Sequence, residues 1–313
     1  MRIDTLASRQ FGLFTYQQAL GNMTLRALER GTQPGRRWER VAPHVYRVLA
    51  TPADWRQPLM AALLWAGEPA VLSHRSAAAV LGLDGVERGW VEFSTTKSTR
   101  PPNRWIRYQR AVRAAEAVGP LRVNTGVRTL HDLAEVLDDD RLEWVLESAL
   151  RARLVSLDEL TGASAGLGRV LVRRPRGAPP TGSILETRFL QLARTVDVPP
   201  LERQLRVEVN DRCRRLDLAW PEIGVFIEID GRWHDEAAAQ PYDRHRQNEV
   251  IGLLGWRPFR VGSDDIVRRS RYTARRLEDF YRRAASGAWA SCEILGLRPQ
   301  ASGASRAMAA TAR

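Results

Sequence analysis

The stretch Arg215-Leu216-Asp217-Leu218-Ala219-Trp220-Pro221-Glu222, followed by Val225-Phe226-Ile227-Glu228-Ile229-Asp230-Gly231, decides how the C-terminal part of the chain is read. Two apolar runs of strand length carry carboxylates, and Pro221-Glu222-Ile223-Gly224 is the turn between them. Side chains of an extended strand alternate faces. Leu216 and Leu218 are thus expected to point one way and Asp217 the other, while Glu228 and Asp230 share the face opposite Ile227 and Ile229. Three acids then converge on one side of one hairpin. Like charges that close repel one another and lose hydration unless a cation neutralises them, which predicts a hard-metal site. Magnesium, or manganese in its place, held by carboxylates, waters and a substrate phosphate, suits such a donor set.

Outward from this hairpin, Ser183 to Thr195 reads as a helix with Ser183 as N-cap and Glu186 at the capping-box position. Gln204 to Val209, Arg214 to Trp220 and Val225 to Asp230 read as strands, with Asn210-Asp211-Arg212-Cys213 as the first turn. A helix through about Tyr242 to Leu254 follows, then a strand over Trp256 to Val261 and a helix near Tyr272 to Ala284.

The 313 residues are enough for two or three domains, and 44% hydrophobic residues argue for a soluble globular protein. No apolar run approaches the ~20 residues that span a bilayer. Met1-Arg2-Ile3-Asp4 lacks the apolar core of a signal peptide, so the cytoplasm is the expected location and no membrane partner is expected. Cys213 and Cys292 are too few for a disulfide framework or a four-ligand zinc site. A net charge of +12 favours an acidic partner, and nucleic acid is the commonest one. Lys97 is the only lysine, so the positive charge is almost all arginine, which forks onto phosphates and guanine edges.

At the N-terminus, Ile3 to Gln10 is a short amphipathic stretch, and Thr15-Tyr16-Gln17-Gln18 has capping-box spacing. Gly21-Asn22 breaks the chain before Thr24, which can cap a second helix over Leu25 to Arg30. Arg26 and Arg30 sit one turn apart, away from Leu25 and Leu28. Trp38 to Val41 and Val45 to Val48, joined by Ala42-Pro43-His44, read as a hairpin wing. Helix, turn, helix and wing is a DNA-reading arrangement whose second helix enters the major groove. Thr24, Arg26, Arg30, Arg36, Arg37 and Arg40 are its candidate DNA contacts.

This segment resembles the winged-helix domain of AbiEi-type antitoxins of type IV toxin-antitoxin systems. The residues that carry the likeness are Gly12-Leu13-Phe14-Thr15, Gln18-Ala19, Leu25-Arg26-Ala27-Leu28 and Trp38 to Arg47. It continues through Leu72-Ser73-His74-Arg75-Ser76-Ala77-Ala78 and Val123 to Ala134, covering roughly the first half of the chain. The resemblance implies a regulator, with a cognate toxin as a possible partner.

Between about Pro52 and Leu160 the periodicity is mostly helical, with Leu59, Leu63 and Leu64 on one stripe and Leu142, Val145, Leu146 and Leu150 on another. Trp90 to Thr95 and Trp105 to Gln109 are strand candidates. Asp138-Asp139-Asp140 reads as a helix N-terminus whose acids complement the macrodipole, and His74-Arg75 behind Ser73 as a structural first-turn pair. Residues 162–182, rich in glycine, proline and arginine, read as a linker. Ala301 to Arg313 reads as a disordered tail.

The C-terminal order, with an acid on its first helix, Asp217 on its second strand and Glu228-Ile229-Asp230 on its third, resembles the PD-(D/E)XK nuclease superfamily. Within it, the likeness is to domains related to the very-short-patch-repair endonuclease, carried by Arg215 to Pro221, Glu228 to Gly231, Trp233-His234, Asp243 with Arg246, and Leu254 to Arg257. The resemblance implies Asp217, Glu228 and the carbonyl of Ile229 as metal ligands and Glu186 as a helper from the helix. His234 or Arg246 would position water or the scissile phosphate. One departure matters: Asp230 stands where the superfamily has its lysine, so either Asp230 joins the metal site or catalysis has been lost.

The expected whole is an α+β multidomain protein. It has an N-terminal winged helix-turn-helix over 1–50, a mainly helical middle domain over 51–161 and the linker over 162–182. A restriction-endonuclease-like α/β domain with a mixed central sheet follows over 183–288, then an extension and tail over 289–313. Two functions compete: a metal-dependent DNA endonuclease, and an AbiEi-like antitoxin or transcriptional regulator whose nuclease-like half is inactive. The joint presence of Asp217, Glu228 and Glu186 favours the enzyme; nothing in the residues excludes a nuclease acting on RNA.

Overall fold

The computed structural model describes residues 3–98, 100–102, 104–112, 114–209, 212–230 and 251–287. Among these the chain is an α+β protein built around three separate sheets. The first unit comprises α1 (Ile3–Ser8), β1 (Leu13–Thr15), α2 (Tyr16–Leu20), α3 (Leu25–Gly31), β2 (Trp38–Ala42) and β3 (Val45–Val48), with strand order β1-β3-β2, all antiparallel. Local chemistry sets its helices. Thr15 caps α2 and forms the full capping box with Gln18, and the Thr24 hydroxyl accepts from the Ala27 amide to start α3. Phe14, Leu28 and Trp38 close the core, with Phe14 stacked on Tyr46 and edge-on to Trp38.

The middle of the chain departs from the mainly helical expectation. A five-stranded mixed sheet, order β6-β5-β4-β8-β7, runs through it: β4 (Ala70–Leu72), β5 (Glu92–Thr95), β6 (Ile106–Gln109), β7 (Ala115–Val118) and β8 (Leu121–Asn124). The helices are α4 (Gln57–Ala66), α5 (His74–Val80), α6 (Gly126–Leu133), α7 (Asp139–Arg151) and α8 (Ala165–Val172). β4 is only three residues long and buried throughout, so it has no alternation to show; its identity comes from pairing with β5 and β8. One side of this unit, with α4, shares a core with Leu13, Ala42 and Val45 of the first sheet, while α5 to α8 form a second core. Asp138 caps α7 as expected, and Asp139 pairs with Arg169 and Arg173.

The stretch 162–182 is not a bare connector. α8 lies inside it with Leu167 and Val170 fully buried against α7, because its leucines and valines outweigh the flanking glycines. Beyond it, Arg174 and Thr181 are buried against Glu147.

The third unit holds α9 (Ile184–Ala193), β9 (Glu202–Val209), β10 (Arg212–Trp220), β11 (Val225–Asp230), β12 (Arg257–Gly262), α10 (Ser263–Val267) and α11 (Ser270–Ala285). Its sheet has the order β12-β11-β10-β9, antiparallel except for the parallel β11–β12 pair, so it is the mixed sheet expected. Phe189, Leu218, Trp220, Ile227, Phe259 and Leu277 pack between sheet and helices. The tail and most of the helix expected over Tyr242 to Leu254 lie outside the described residues; 251–254 are helical.

α7 binds this unit to the middle one through two buried acids one turn apart. The Glu143 carboxylate takes both Arg194 nitrogens at 2.8 and 2.6 Å. Burial opposes its charge, yet the hydrogen bonds from Arg194 and Gln191 leave the carboxyl below its ordinary value. Glu147 receives Arg203 at 2.7 Å, Arg174 at 2.9 Å and the Thr181 amide at 3.1 Å, with all three side chains of the ion-pair triad at most 5% exposed.

Candidate functional site

Two of the expected sites can be followed residue by residue. In the first unit, α2 and α3 meet across Gly21 to Thr24 and the β2–β3 hairpin follows. Arg26, Arg30, Arg36, Arg37 and Arg40 are all exposed. Arg37 reaches Asp4 at 3.4 Å and lies over the Trp38 ring, whereas Arg26, Arg30, Arg36 and Arg40 pair with no carboxylate among the described residues. Thr24 is exposed, but its hydroxyl is engaged in the cap. Gly31 closes α3 for a steric reason: a Cβ there would lie 2.3 Å from the Trp38 ring. The α3 backbone is therefore seated directly on the buried tryptophan.

In the third unit Glu186 and Asp217 lie close enough for their charges to interact, whereas Glu228 pairs across the sheet. Glu186 is buried, and its Oε2 accepts from the Gly182 amide at 2.7 Å and from Gln204 Nε2 at 3.1 Å. Burial, reinforced by the charge of Asp217, which is half-buried on β10, raises the Glu186 pKa. Glu186 therefore braces the entry to α9 through the Gly182 amide. Glu228 faces Arg260 across the parallel β11–β12 pair and accepts from its Nε at 2.8 Å. Asp230 is exposed at the end of β11, and Ile229 packs its side chain against the large core. His234 and Arg246 lie outside the described residues, as do Asp243, Arg232 and Trp233.

This overturns the magnesium or manganese site expected at Asp217, Glu228 and Ile229. Among the described residues no group of three or more His, Cys, Asp or Glu side chains is placed to hold a metal ion. The physical reason is competition: main-chain and amide donors hold Glu186 and a guanidinium holds Glu228. On β10 the assumed alternation also fails. Leu218 lies in the core with Phe189 and Leu277, whereas Leu216 packs with Val209, Ala219 and Phe226, and Gln204 on the adjacent strand takes a left-handed φ of 53°.

A third cluster went unrecognised in the sequence. His74, expected to be a structural first-turn residue, is completely buried with a left-handed φ of 48°. Its ring stacks on Tyr108 with centroids 3.5 Å apart, and its Nδ1 lies 3.0 Å from the Ser73 hydroxyl. Asp132, Arg110, Arg128 and Glu135 enclose it in a network of ion pairs. Its Nε2 has no hydrogen-bond partner, and burial, with the surrounding arginines, pulls its pKa down to about 3, so the ring is neutral at pH 7. Burial also pushes the Tyr108 hydroxyl up to about 12. Depth here is created by β4, β5 and β8 pairing, which no local pattern around His74 reports.

No protein-family model and no curated protein sequence matches the chain. No helix among the described residues is long and apolar enough to cross a membrane.

Proposed function

We propose that the chain is a duplex-DNA-binding regulator whose first unit is a winged helix-turn-helix. The carrying observation is that Arg26 and Arg30 on α3, with Arg36 and Arg40 leading into and along β2, are exposed and pair with no carboxylate among the described residues. Arginines deeper in the chain, such as Arg75, Arg110, Arg194 and Arg203, are spent on acids. An unspent guanidinium is available to phosphate and base edges. α3 is a seven-residue helix, and a helix with its side chains, about 10–12 Å across, fits a major groove about 12 Å wide.

The strand order and flanking helices of the third unit support the nuclease-like scaffold reading. Two of its acids, Glu186 and Glu228, are engaged by Gly182, Gln204 and Arg260, which favours the regulator over the endonuclease. The test is a mobility-shift titration of the full chain on genomic duplex fragments at several salt concentrations, beside plasmid cleavage in magnesium-containing buffer. Binding without nicking is expected. Arg26→Ala with Arg30→Ala should weaken binding and lower the salt slope by about 0.9 for each phosphate no longer neutralised. Unchanged affinity in that variant would refute the interface, and nicking would restore the enzyme.

A further inference from the structure

Beside the β2–β3 turn lies a cavity of about 470 Å³, a volume in the range of small-molecule sites. Its walls come from two units: Pro43 and His44 at the hairpin turn, Trp65 at the end of α4, and Lys97, Arg100 and Arg107 from the β5–β6 region. No acidic residue lines it among the described residues. Two of these cations are held in place by main-chain carbonyls. Lys97 Nζ donates to the Ala66 carbonyl at 2.6 Å, and Arg107 donates to the Lys97 carbonyl at 2.7 Å. Trp65 is braced edge-on by Phe93 and Trp105, so the lining carries an aromatic ring as well as cations.

We propose that this cavity binds a nucleotide, with its phosphates on Lys97, Arg100 and Arg107 and its base against Trp65 and Pro43. An acid-free cluster of cations favours a multiply charged anion, and an aromatic and proline wall favours a flat apolar body; a nucleotide combines both. The site adjoins the proposed DNA-reading helices. The His44 carbonyl accepts the Tyr16 amide at 2.8 Å, and the His44 ring packs edge-on against Tyr16, the first residue of α2. His44 holds a left-handed φ of 60°, so occupancy of the cavity acts on a backbone position with few alternatives. Ligand binding there would bias the placement of α2, and DNA would reciprocally bias ligand affinity.

The test is calorimetric titration of the full chain with ATP, tripolyphosphate and adenosine at low salt. The expected result is one saturable site for ATP, tighter than for either fragment. Arg100→Ala should weaken it about tenfold, the loss expected of one charged hydrogen bond. Arg100 is exposed, so that variant is expected to keep the wild-type melting temperature. Arg26→Ala with Arg30→Ala should leave ATP binding unchanged, which separates this site from the DNA interface. Three outcomes each overturn the proposal: no saturable ATP binding, tripolyphosphate binding as tightly as ATP, or Arg100→Ala weakening duplex DNA while ATP fails to bind. The last would assign the cavity wall to the DNA backbone.

Discussion

Replacing Glu147 by alanine is the most demanding test of how the middle and third units are joined. The carboxylate is 1% exposed and holds two guanidiniums that are 5% and 2% exposed, at 2.9 and 2.7 Å. At an effective dielectric of about 20, each such pair attracts by about 4 kcal/mol before desolvation is charged against it. Removing the acid leaves two buried cations without a counter-charge and the Thr181 amide without its acceptor. Breaking a buried pair by removing one partner costs about 3–5 kcal/mol. With two cations stranded, the upper end of that range applies. For a unit of this size the loss lowers the melting temperature by about 10–20 °C. The assay is urea unfolding followed by tryptophan fluorescence, since Trp144 lies on α7 and Trp220 in the third unit's core. A companion variant replaces Glu147, Arg174 and Arg203 together by methionine. Because the ions' desolvation cost vanishes with them while only the Thr181 amide stays unpaired, it should be more stable than Glu147→Ala and lie within about 3 kcal/mol of the wild type. A loss below about 1 kcal/mol for Glu147→Ala would refute the argument, as would a triple variant less stable than the single one.

Two further outcomes are expected. Glu186→Gln keeps an oxygen for Gly182 and Gln204 but cannot ionise. Because burial and Asp217 raise the Glu186 pKa in the fold, the wild type loses stability as pH rises from the ordinary carboxylate value through the folded one. The variant should therefore gain in urea midpoint at pH 8 relative to the wild type and lose that advantage at or below about pH 4.5; a pH-independent difference would disprove the linkage. Gly31→Ala drives a methyl group into the Trp38 ring and should cost about 1–3 kcal/mol, read as a lower melting temperature together with weaker duplex binding. Unaltered stability would show that α3 is not seated as described.

How far the sequence could be read depended on whether each signal was local. Thr15 with Gln18, Thr24, Asp138 and Ser183 were legible as caps because a cap is decided within four residues. β11 was legible because Val225 to Asp230 is long and rich in β-branched residues. β4 and β7 were not. One has three buried residues, and the other is exposed along its length, so neither has a periodicity to detect. α8 was hidden by the glycines around it, although Leu167 and Val170 carried its apolar face. The acid cluster misled for a related reason. Strand pattern gives the face on which a carboxylate starts, while its partner is chosen by neighbours such as Arg260 and Gln204, one of them 32 residues away.

The acids on α7 also have a history during synthesis. Glu147 emerges from the ribosome 56 residues before Arg203, which at about 5–20 residues per second is a wait of roughly 3–11 s. Glu143 waits almost as long for Arg194, 51 residues on. Through that interval the face of α7 that will meet α9 and β9 stands open, and a purely apolar face would offer a nascent chain a surface for wrong partners. Carboxylates keep it hydrated. The surface that ends as an interface thus begins as an ordinary wet one, and only arginines that arrive late dry it out.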